Sequence, residues 1–452
     1  MREPRRRGIC PGLSAPMPTG DGLLVRLMPT EPVPPDAFIR LCEAAHRHGN
    51  GTMEISARGS LQVRGLTPCT APLFASAVAE LGIVTHEGVP VIVGLAPVSA
   101  KLSCGSAAVS PSAQGKGEEF AAPPQLQSKN ILANAVDVAA ELRSVIANAR
   151  LELSPKVSIV VDDDGALHFD AVSADIRLRE VGPVQQPRFC VGLGGDGASA
   201  TWLGSIAPRD AAGAVLALLT VIAAHGPAAR AADIVESKGI EAFHSISGAW
   251  IVRSPPPPPR SPAEMVGLHP GRDGTFAIGI GLAFGHIQAD VLAEIVHIAI
   301  IDGVQAVRPA PDRSLLLLGV AASRVADLTA CAERLGFVVR ADDPKRRIAA
   351  CPGAPACVSG LIPARALAAS LTPILDHFRG TRRNGVLVHI SGCPKGCAHP
   401  SSAALTLVGT ERGCGLVRNG ASRATPDYYV DLANLTAEIS RISVEAGEVA
   451  YG

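Results

Sequence analysis

The sequence predicts an α+β fold made by duplication of one β-α-β-β-α unit in a chain of 452 residues. The first copy starts with TGDGLLVRL at Thr19, continues through a helix near 36–48 and GTMEISARGSLQVRGL at 51–66, and is followed by a helix that ends at LGIV, 81–84. The second copy starts with GRDGTFAIGI at Gly271, continues through a helix near 288–300 and GVQAVRPAPDRSLLLLGV at 303–320, and is followed by a helix that ends at LGFVV from Leu335. This order of β-rich runs and helical periodicity is that of a ferredoxin-like half-domain. The copies lie too far apart for a solenoid, so the repeat predicts a pseudo-two-fold enzyme.

A longer α/β segment follows each copy. In the first, NILANAVDVAAELRSVIANA from Asn130 predicts a helix, and SPKVSIVVDDDGALHFD from Ser154 predicts a hairpin. In the second, LIPARALAASLTPILDHF from Leu361 predicts a helix, and GVLVHISGCPKGCAHP from Gly385 predicts a strand entering a turn. Only the second copy carries cysteines at this place. The run SPPPPPRSP between the copies predicts a stiff linker.

Six successive regions follow from these elements. They are an N-terminal segment with the first half-domain at 1–100, a low-complexity loop at 101–127, a first α/β domain at 128–253, the linker at 254–262, the second half-domain at 263–345, and a second α/β domain with the paired cysteines at 346–452.

Composition narrows the classes of partner and compartment. The formal net charge is zero, which gives no electrostatic reason for a nucleic-acid or membrane-surface partner. The most apolar run, Ala214 to Ala224, is shorter than the about 20 residues that span a bilayer, so it predicts a buried helix. The basic start MREPRRRGICPGL is not followed by an apolar stretch of signal-peptide type. Eleven cysteines without a secretory signal favour metal chemistry over disulfides, and we expect a cytoplasmic protein.

Two cysteine pairs carry the strongest chemical signal. CPGAPAC places Cys351 and Cys357 in a C-x5-C pair, and CPKGC places Cys393 and Cys397 in a C-x3-C pair. Two separated pairs on loops can supply the four converging thiolates of a [4Fe–4S] cluster. Structural zinc is an alternative, although its cysteine pairs are usually two to four residues apart. Buried thiols that act as small hydrophobes are another, but glycine and proline inside both pairs indicate loops that wrap a cofactor.

Other residues near these pairs are weaker candidates. His389 and His399 are candidate metal ligands, although a 2-His-1-carboxylate site would also need a carboxylate that spacing does not identify. Lys395 lies between two paired cysteines, where it either tunes a cluster, binds a substrate carboxylate or is simply exposed. GLGGDG, residues 192–197, lacks the remainder of a dinucleotide fingerprint and predicts a tight turn. The sequence therefore shows no built-in dinucleotide-binding domain, and we expect any electrons that the chain uses to come from a separate reductase or a ferredoxin.

The double cysteine pair in the second half of a duplicated chain resembles the nitrite and sulfite reductase superfamily, and the resemblance covers nearly the whole chain. It implies a nitrite/sulfite reductase-like fold with a [4Fe–4S] cluster on the four cysteines. Cys397 matches the ligand that also bridges to a sirohaem iron in the true reductases.

The resemblance extends to basic positions of the first copy. Arg58 in ISARGSLQVRG looks like an arginine that faces the anionic substrate or tetrapyrrole, and Lys129 in SKNILAN falls where the family has arginine. Lys156 in LSPKVS matches the first of two family lysines, and Ser158 replaces the second. Loss of one basic group weakens the field that six-electron reduction of sulfite or nitrite needs. Strand arginines that are candidates to compensate are Arg26, Arg64, Arg308 and Arg313.

One branch of the superfamily matches further. RGICPGLSAPMPTGDGLLVRL, residues 7–27, and the form SGCPKGCAHP resemble the precorrin-3B synthases of aerobic cobalamin biosynthesis. That resemblance implies a monooxygenase that uses dioxygen and electrons ultimately from NADH to hydroxylate precorrin-3A at C20, with closure of a γ-lactone. It also implies a [4Fe–4S] cluster and a non-haem iron without a tightly held sirohaem. The alternatives are a sirohaem-dependent assimilatory nitrite or sulfite reductase and a non-catalytic iron–sulfur electron carrier.

Overall fold

The computed structural model describes residues 11–86, 88–94, 135–163, 165–183, 186–271, 274–375 and 386–449. These residues form two compact units. Unit 1 holds the described residues before 89 and after 261, and unit 2 holds those from 89 to 261. No helix in the described ranges is long and apolar enough to cross a membrane. The low-complexity loop, Lys129, Asn130 and Cys10 lie outside the described residues.

The first half-domain has the predicted β-α-β-β-α order, preceded by one short additional strand. Its strands and helices are β1 (Met17–Thr19), β2 (Gly22–Leu27), α1 (Pro35–His48), β3 (Thr52–Ile55), β4 (Leu61–Leu66) and α2 (Thr70–Glu80). Proline suits the first position of α1 because its fixed φ is already helical and the helix needs no hydrogen bond from that nitrogen. Phe38 and Leu41 lie on the buried apolar face of α1, and Gly49 follows its last residue.

Unit 2 contains a five-stranded sheet covered by helices. Its elements are β5 (Val91–Val93), α3 (Ala135–Ala149), β6 (Ile159–Asp162), β7 (Ile176–Val181), β8 (Arg188–Leu193), β9 (Thr201–Ile206), α4 (Ala211–Ala224), α5 (Ala231–Lys238) and α6 (Glu241–Ser247). The strands lie in chain order, with β5, β6 and β7 parallel and the last two pairs antiparallel. Helix α4 is buried, which confirms the prediction for the apolar run within it.

The hairpin predicted from Ser154 is wrong. Strand β6 pairs in parallel with β5 and β7, so no strand returns directly from it. All four residues of β6 are buried, as expected for a central parallel strand covered on both faces. The tight turn predicted for GLGGDG is confirmed, since β8 ends at Leu193 and both Gly194 and Gly195 have positive φ.

The second half-domain repeats the first. It contains β10 (Gly267–Pro270), β11 (Phe276–Gly281), β12 (His286–Gln288), α7 (Ala289–Ile301), β13 (Ala306–Ala310), β14 (Ser314–Val320) and α8 (Val325–Arg334). The segment before each half-domain's first helix pairs with the other half-domain. Strand β12 pairs with β3, and Val33, just before α1, bridges to Val307 in β13. This reciprocal exchange gives the pair its pseudo-two-fold character, and both halves contribute to one hydrophobic core.

The second α/β region in unit 1 carries the paired cysteines. Its elements are β15 (Ile348–Ala350), α9 (Ala364–Leu375), β16 (Val388–Ser391), β17 (Ala403–Thr410), β18 (Gly413–Gly420), β19 (Tyr428–Val430) and α10 (Leu435–Val449). Its strand order and its sequence of parallel and antiparallel pairs repeat those of the unit 2 sheet. The predicted duplicated α+β fold is therefore confirmed.

Candidate metal centre

Parallel pairing brings one cysteine of each pair to the same sheet edge. In β15 and β16, Ala350 lies opposite Ile390, and the carboxyl ends of parallel strands meet at one edge. Cys351 directly follows β15, and Cys393 comes two residues after β16. The backbone N–H of Cys351 donates to Ile390 O at 3.2 Å, and the N–H of Gly392 donates to Cys351 Sγ at 3.0 Å.

The remaining two cysteines converge on the same place. Both Cys357 and Cys397 interact electrostatically with Cys351 and with Cys393. A side-chain contact also ties the two loops, because Lys395 Nζ donates to Ser359 Oγ at 2.8 Å. The structure therefore assembles all four predicted cysteines, with Lys395 beside them.

Glycines allow the two cysteine loops to approach closely. A β-carbon on Gly392 would lie 2.8 Å from Gly353 Cα and 3.3 Å from Gly360 Cα. Gly396, between Cys393 and Cys397, has a φ of +61°, a conformation that side chains other than glycine rarely adopt. The glycines inside and beside both cysteine pairs thus serve loop contact and loop turning.

The thiols combine burial with access. Cys351 and Cys393 are 8% and 9% exposed, whereas Cys357 is half-buried and Cys397 is exposed. Burial raises the pKa of Cys351 and Cys393, and the negative charges of the other two cysteines add to the rise. Four thiolates without a cation would repel one another in this low-polarity site, whereas bound iron stabilises the thiolate form.

The four-cysteine donor set has the chemistry that an iron–sulfur cluster needs. Among the residues that the structure describes, no group of three His, Cys, Asp or Glu side chains is placed to hold one metal ion. A cube binds each thiolate through a different iron atom, so its four ligands stand further apart than ligands that share one ion. Sulfur-only donors on two loops match that arrangement.

Two histidines lie beside the cysteine loops. His389 on β16 is 0% exposed, and within the described structure neither of its ring nitrogens has a hydrogen-bond partner. Its ring centroid lies 5.7 Å from that of His399. Burial, together with the neighbouring charges of His399 and Arg313, lowers the pKa of His389 to about 4. Burial also lowers the pKa of His399, so both imidazoles are neutral near pH 7, the form that binds metals.

Sequence reasoning did not find the buried ion network beside Cys357. Arg64 on β4 donates to Asp21 through Nε at 2.9 Å and through Nη2 at 2.8 Å. Its Nη1 lies 3.4 Å from Glu54 Oε1, and Arg365 Nη1 donates to the same oxygen at 2.6 Å. Asp21 belongs to the TGDG segment quoted for the family resemblance, but no local spacing links it to an arginine 43 residues away.

Two other predicted basic residues, Arg58 and Lys156, are exposed. Arg58 lies between β3 and β4, where its backbone bridges to Pro311 in unit 1. Lys156 lies in the turn before β6 in unit 2. Ser158, at the position of the second family lysine, is 0% exposed, and its N–H donates to Asp175 Oδ2 at 3.0 Å. Asp175 also accepts from Arg230 at 2.8 and 2.9 Å, so an ion pair covers this position.

At the corresponding edge of the unit 2 sheet, charged side chains and a glycine replace the cysteines. Gly94 follows β5 as Cys351 follows β15, and Asp162 ends β6 as Ser391 ends β16. A β-carbon on Gly94 would lie 2.5 Å from Asp162 Oδ1. The sheet edge that carries cysteines in one copy is thus occupied by the Asp162 carboxylate in the other.

Asp162 belongs to an ion network that also holds the linker. Arg177 Nη1 lies 3.4 Å from Asp162 Oδ2, and both side chains are essentially fully buried. Arg260 of the polyproline linker donates to Asp170 at 2.7 and 2.9 Å and lies 3.4 Å from Asp162. Burial raises the pKa of Asp162 to about 6, although the Phe169 N–H and the two arginines oppose the rise.

Comparisons with known proteins agree with this architecture. No protein-family model matches the chain. A precorrin-3B synthase from Sinorhizobium sp is 33% identical over 442 residues, which cover 97% of this chain and 88% of that protein. The ferredoxin sulfite reductase 2 of Mycolicibacterium paratuberculosis is 25% identical over 45% of this chain and 38% of its own length. The structure of the Mycobacterium tuberculosis NirA protein superposes with a TM-score of 0.68 at 17% identity and covers 93% of this chain and 80% of that one.

Proposed function

Because the chain belongs to the precorrin-3B synthase family, which is related to the sulfite reductases, we propose that it hydroxylates precorrin-3A at C20 and closes the γ-lactone. One atom of dioxygen enters the product, the other leaves as water, and two electrons come ultimately from NADH. The observation that carries the proposal is the similarity to a precorrin-3B synthase along nearly the whole chain. The four assembled thiols support it, since an oxygen-activating enzyme needs a source of single electrons.

Cys351, Cys357, Cys393 and Cys397 are the proposed ligands of the [4Fe–4S] cluster. When bound, such a cluster supplies electrons one at a time. The two buried cysteines anchor the loops to the sheet, and the exposed Cys397 leaves one side of the site accessible. A separate NADH-dependent reductase or a ferredoxin is the proposed donor.

Exposed basic side chains are the proposed contacts for the precorrin, whose periphery carries carboxylates. Arg58, Lys156 and Lys395 are exposed in the structure, and Lys129 joins them from the sequence. Arginine can grip a carboxylate through two parallel N–H bonds, while lysine acts as a point charge. These groups would orient the macrocycle rather than transfer protons.

His389 and His399 remain the proposed imidazole ligands of a mononuclear iron. Both are neutral near pH 7 and lie close together, and His389 has both nitrogens without partners in the described structure. Protein with a cluster and this extra iron should contain more iron than acid-labile sulfide. The excess should disappear in His389→Ala, and its persistence in that variant would remove His389 from the ligand set.

The second candidate is a sirohaem-dependent nitrite or sulfite reductase, favoured by the sequence similarity to the ferredoxin sulfite reductase 2 of Mycolicibacterium paratuberculosis. Against it stands Ser158, which is buried under the Asp175–Arg230 ion pair where those enzymes place a second lysine. An absorption spectrum of anaerobically purified protein separates the two. Sirohaem bands in the Soret and red regions would overturn the monooxygenase, and a broad iron–sulfur shoulder alone would overturn the reductase.

Turnover tests the proposal itself. The reduced protein is incubated with precorrin-3A in air, and the product is analysed by mass spectrometry. We expect a product heavier by one oxygen atom, labelled when ¹⁸O₂ replaces air. Absence of an oxygenated product from protein with an intact cluster would favour the non-catalytic electron carrier.

A further inference from the structure

Arg64 connects the first half-domain to the Cys351–Cys357 loop of the second α/β region. We propose that Arg64 is a positioning residue that holds the Cys351–Cys357 loop and raises the reduction potential of the cluster; this inference rests on the cluster proposed above. No sequence motif marks the residue for this role. Four observations support it: its contacts, the close packing around them, its retained charge and the charge balance of its network.

The contact with the loop is direct. Arg64 Nη2 donates to the carbonyl oxygen of Ala356, the residue immediately before Cys357. The N–H of Gly20 donates to the same oxygen at 3.1 Å. Two donors from the first half-domain therefore bind one carbonyl oxygen of the cysteine loop. They fix the orientation of the peptide group between Ala356 and Cys357.

The packing leaves no room for adjustment at this contact. A β-carbon on Gly20 would lie 2.1 Å from Pro355 O and 3.0 Å from Cys357 N. The chain at Gly20 therefore touches the backbone of the loop, and only glycine fits. Asp21, the next residue, holds the guanidinium of Arg64 through two hydrogen bonds, so the TGDG segment supplies both the close contact and the anchor.

Arg64 keeps its charge although its side chain is only 4% exposed. Burial alone would lower its pKa, but the hydrogen bonds to Asp21 and the charges of Glu54, Asp21 and the Cys357 thiolate raise it. For Asp21, burial alone would raise the pKa. The hydrogen bonds from Arg64 and Thr19 outweigh burial and hold the pKa of Asp21 below its ordinary value. Both partners are therefore ionised near pH 7.

The charge balance of the network determines in which direction each substitution should shift the reduction potential. Arg64 and Arg365 face Asp21 and Glu54, so the four side chains sum to zero. One-electron reduction adds a negative charge to a cluster, and a nearby buried cation stabilises the reduced form. Removal of the Arg64 charge leaves a net negative network and should lower the potential. Removal of the Asp21 charge leaves a net positive network and should raise it.

The test is a redox titration of the loaded protein followed by electron paramagnetic resonance. We compare wild type with Arg64→Met, Arg64→Lys and Asp21→Asn, and use Arg47→Met on the exposed face of α1 as the control. We expect Arg64→Met to shift the midpoint to more negative values and Asp21→Asn to shift it to more positive values. Each shift should change the reduced-to-oxidised ratio at least tenfold, which is about 59 mV for one electron. Arg64→Lys should recover most of the wild-type value, and the control should not move.

Opposite shifts separate an electrostatic role from a structural one, because simple loosening of the loop would move both variants in one direction. Shifts of equal sign, or shifts no larger than that of Arg47→Met, would overturn the inference while leaving the cluster in place. If Arg64→Met fails to retain the cluster, Asp21→Asn and Arg64→Lys decide the result. A wild-type protein without a cluster signal would overturn the proposed cofactor and this inference together.

Discussion

Replacement of Gly392 by alanine tests the close approach of the two cysteine loops. The new β-carbon would lie 2.8 Å from Gly353 Cα, 3.3 Å from Gly360 Cα and 3.4 Å from Cys351 Sγ. Carbon atoms in favourable contact lie about 3.5–4.0 Å apart, so the shortest contact is too close by roughly 1 Å. The φ of Gly392 is not in the left-handed region, so the effect is steric rather than conformational.

The magnitude follows from what surrounds the new methyl group. Overpacking of a filled site costs about 1–3 kcal/mol. We expect the upper end, about 3 kcal/mol, because the clashing atoms belong to two backbones that cannot turn away as a side chain would. Separation of the loops also moves the N–H of Gly392 away from Cys351 Sγ, a contact now at 3.0 Å. Gly392→Ala should therefore lower both the unfolding temperature and the iron content per chain.

The assay measures iron, acid-labile sulfide and thermal unfolding of protein purified anaerobically. Gly213→Ala on helix α4 is the matched control, because the atoms nearest to its β-carbon would be Trp250 ring atoms at 3.5 Å, an ordinary contact distance. Alanine in a helix is better than glycine by about 0.5–1 kcal/mol, so the control should keep its iron and gain slight stability. Wild-type iron content and unfolding temperature in Gly392→Ala would refute the packing argument.

Three further perturbations test the cysteine ligands and the ion network of unit 2. Serine in place of Cys351, Cys357, Cys393 or Cys397 should abolish the iron–sulfur absorption. The control Cys69→Ser, at an exposed cysteine, should retain it. An unchanged spectrum for Cys393→Ser would show that Cys393 is not a ligand. Arg260→Ala removes the partly buried contacts to Asp170. It should lower the free energy of unfolding of unit 2 in urea by about 2–4 kcal/mol, less than the loss of a fully buried pair would. The control Arg209→Ala, at an exposed residue, should change it little. Both tryptophans, Trp202 and Trp250, lie in unit 2 and report this transition by fluorescence, so coincident curves for Arg260→Ala and wild type would contradict the expectation. Burial raises the pKa of Asp162 to about 6 in the folded state against about 4 unfolded, so stability present at low pH is lost as pH rises from about 4 to 6, by roughly 3 kcal/mol. Asp162→Asn should therefore gain unfolding temperature relative to wild type across that window, and a difference that does not vary with pH would show that Asp162 titrates normally.

Local patterns in the sequence predicted the elements whose signals are local. Helices α1 and α7 carry apolar periodicity with clear starts, and the structure begins each within a residue or so of the expected place. The cysteine pairs are short motifs that contain glycine and proline, so the sequence also predicts that they lie on loops. The hairpin at β6 was wrong because the partners of a parallel strand lie far along the chain, and four consecutive buried residues do not encode which strands they join.

The site beyond the cysteines depends on contacts between distant segments. The Arg64 contact with Ala356 joins residues 292 positions apart, and the Arg260 contact with Asp170 joins residues 90 apart. Each residue alone has the pattern of an ordinary charged side chain on a strand or in a linker. Their roles arise from tertiary packing, which places them where their charge is buried and must be paired.

Electron paramagnetic resonance of the dithionite-reduced, anaerobically purified protein distinguishes a cluster enzyme without sirohaem from a sirohaem reductase. We expect the signal of a reduced [4Fe–4S] cluster without a sirohaem signal in the oxidised protein, and loss of that cluster signal in Cys351→Ser but not in Cys69→Ser. A sirohaem signal, or a cluster signal that survives in Cys351→Ser, would contradict this expectation.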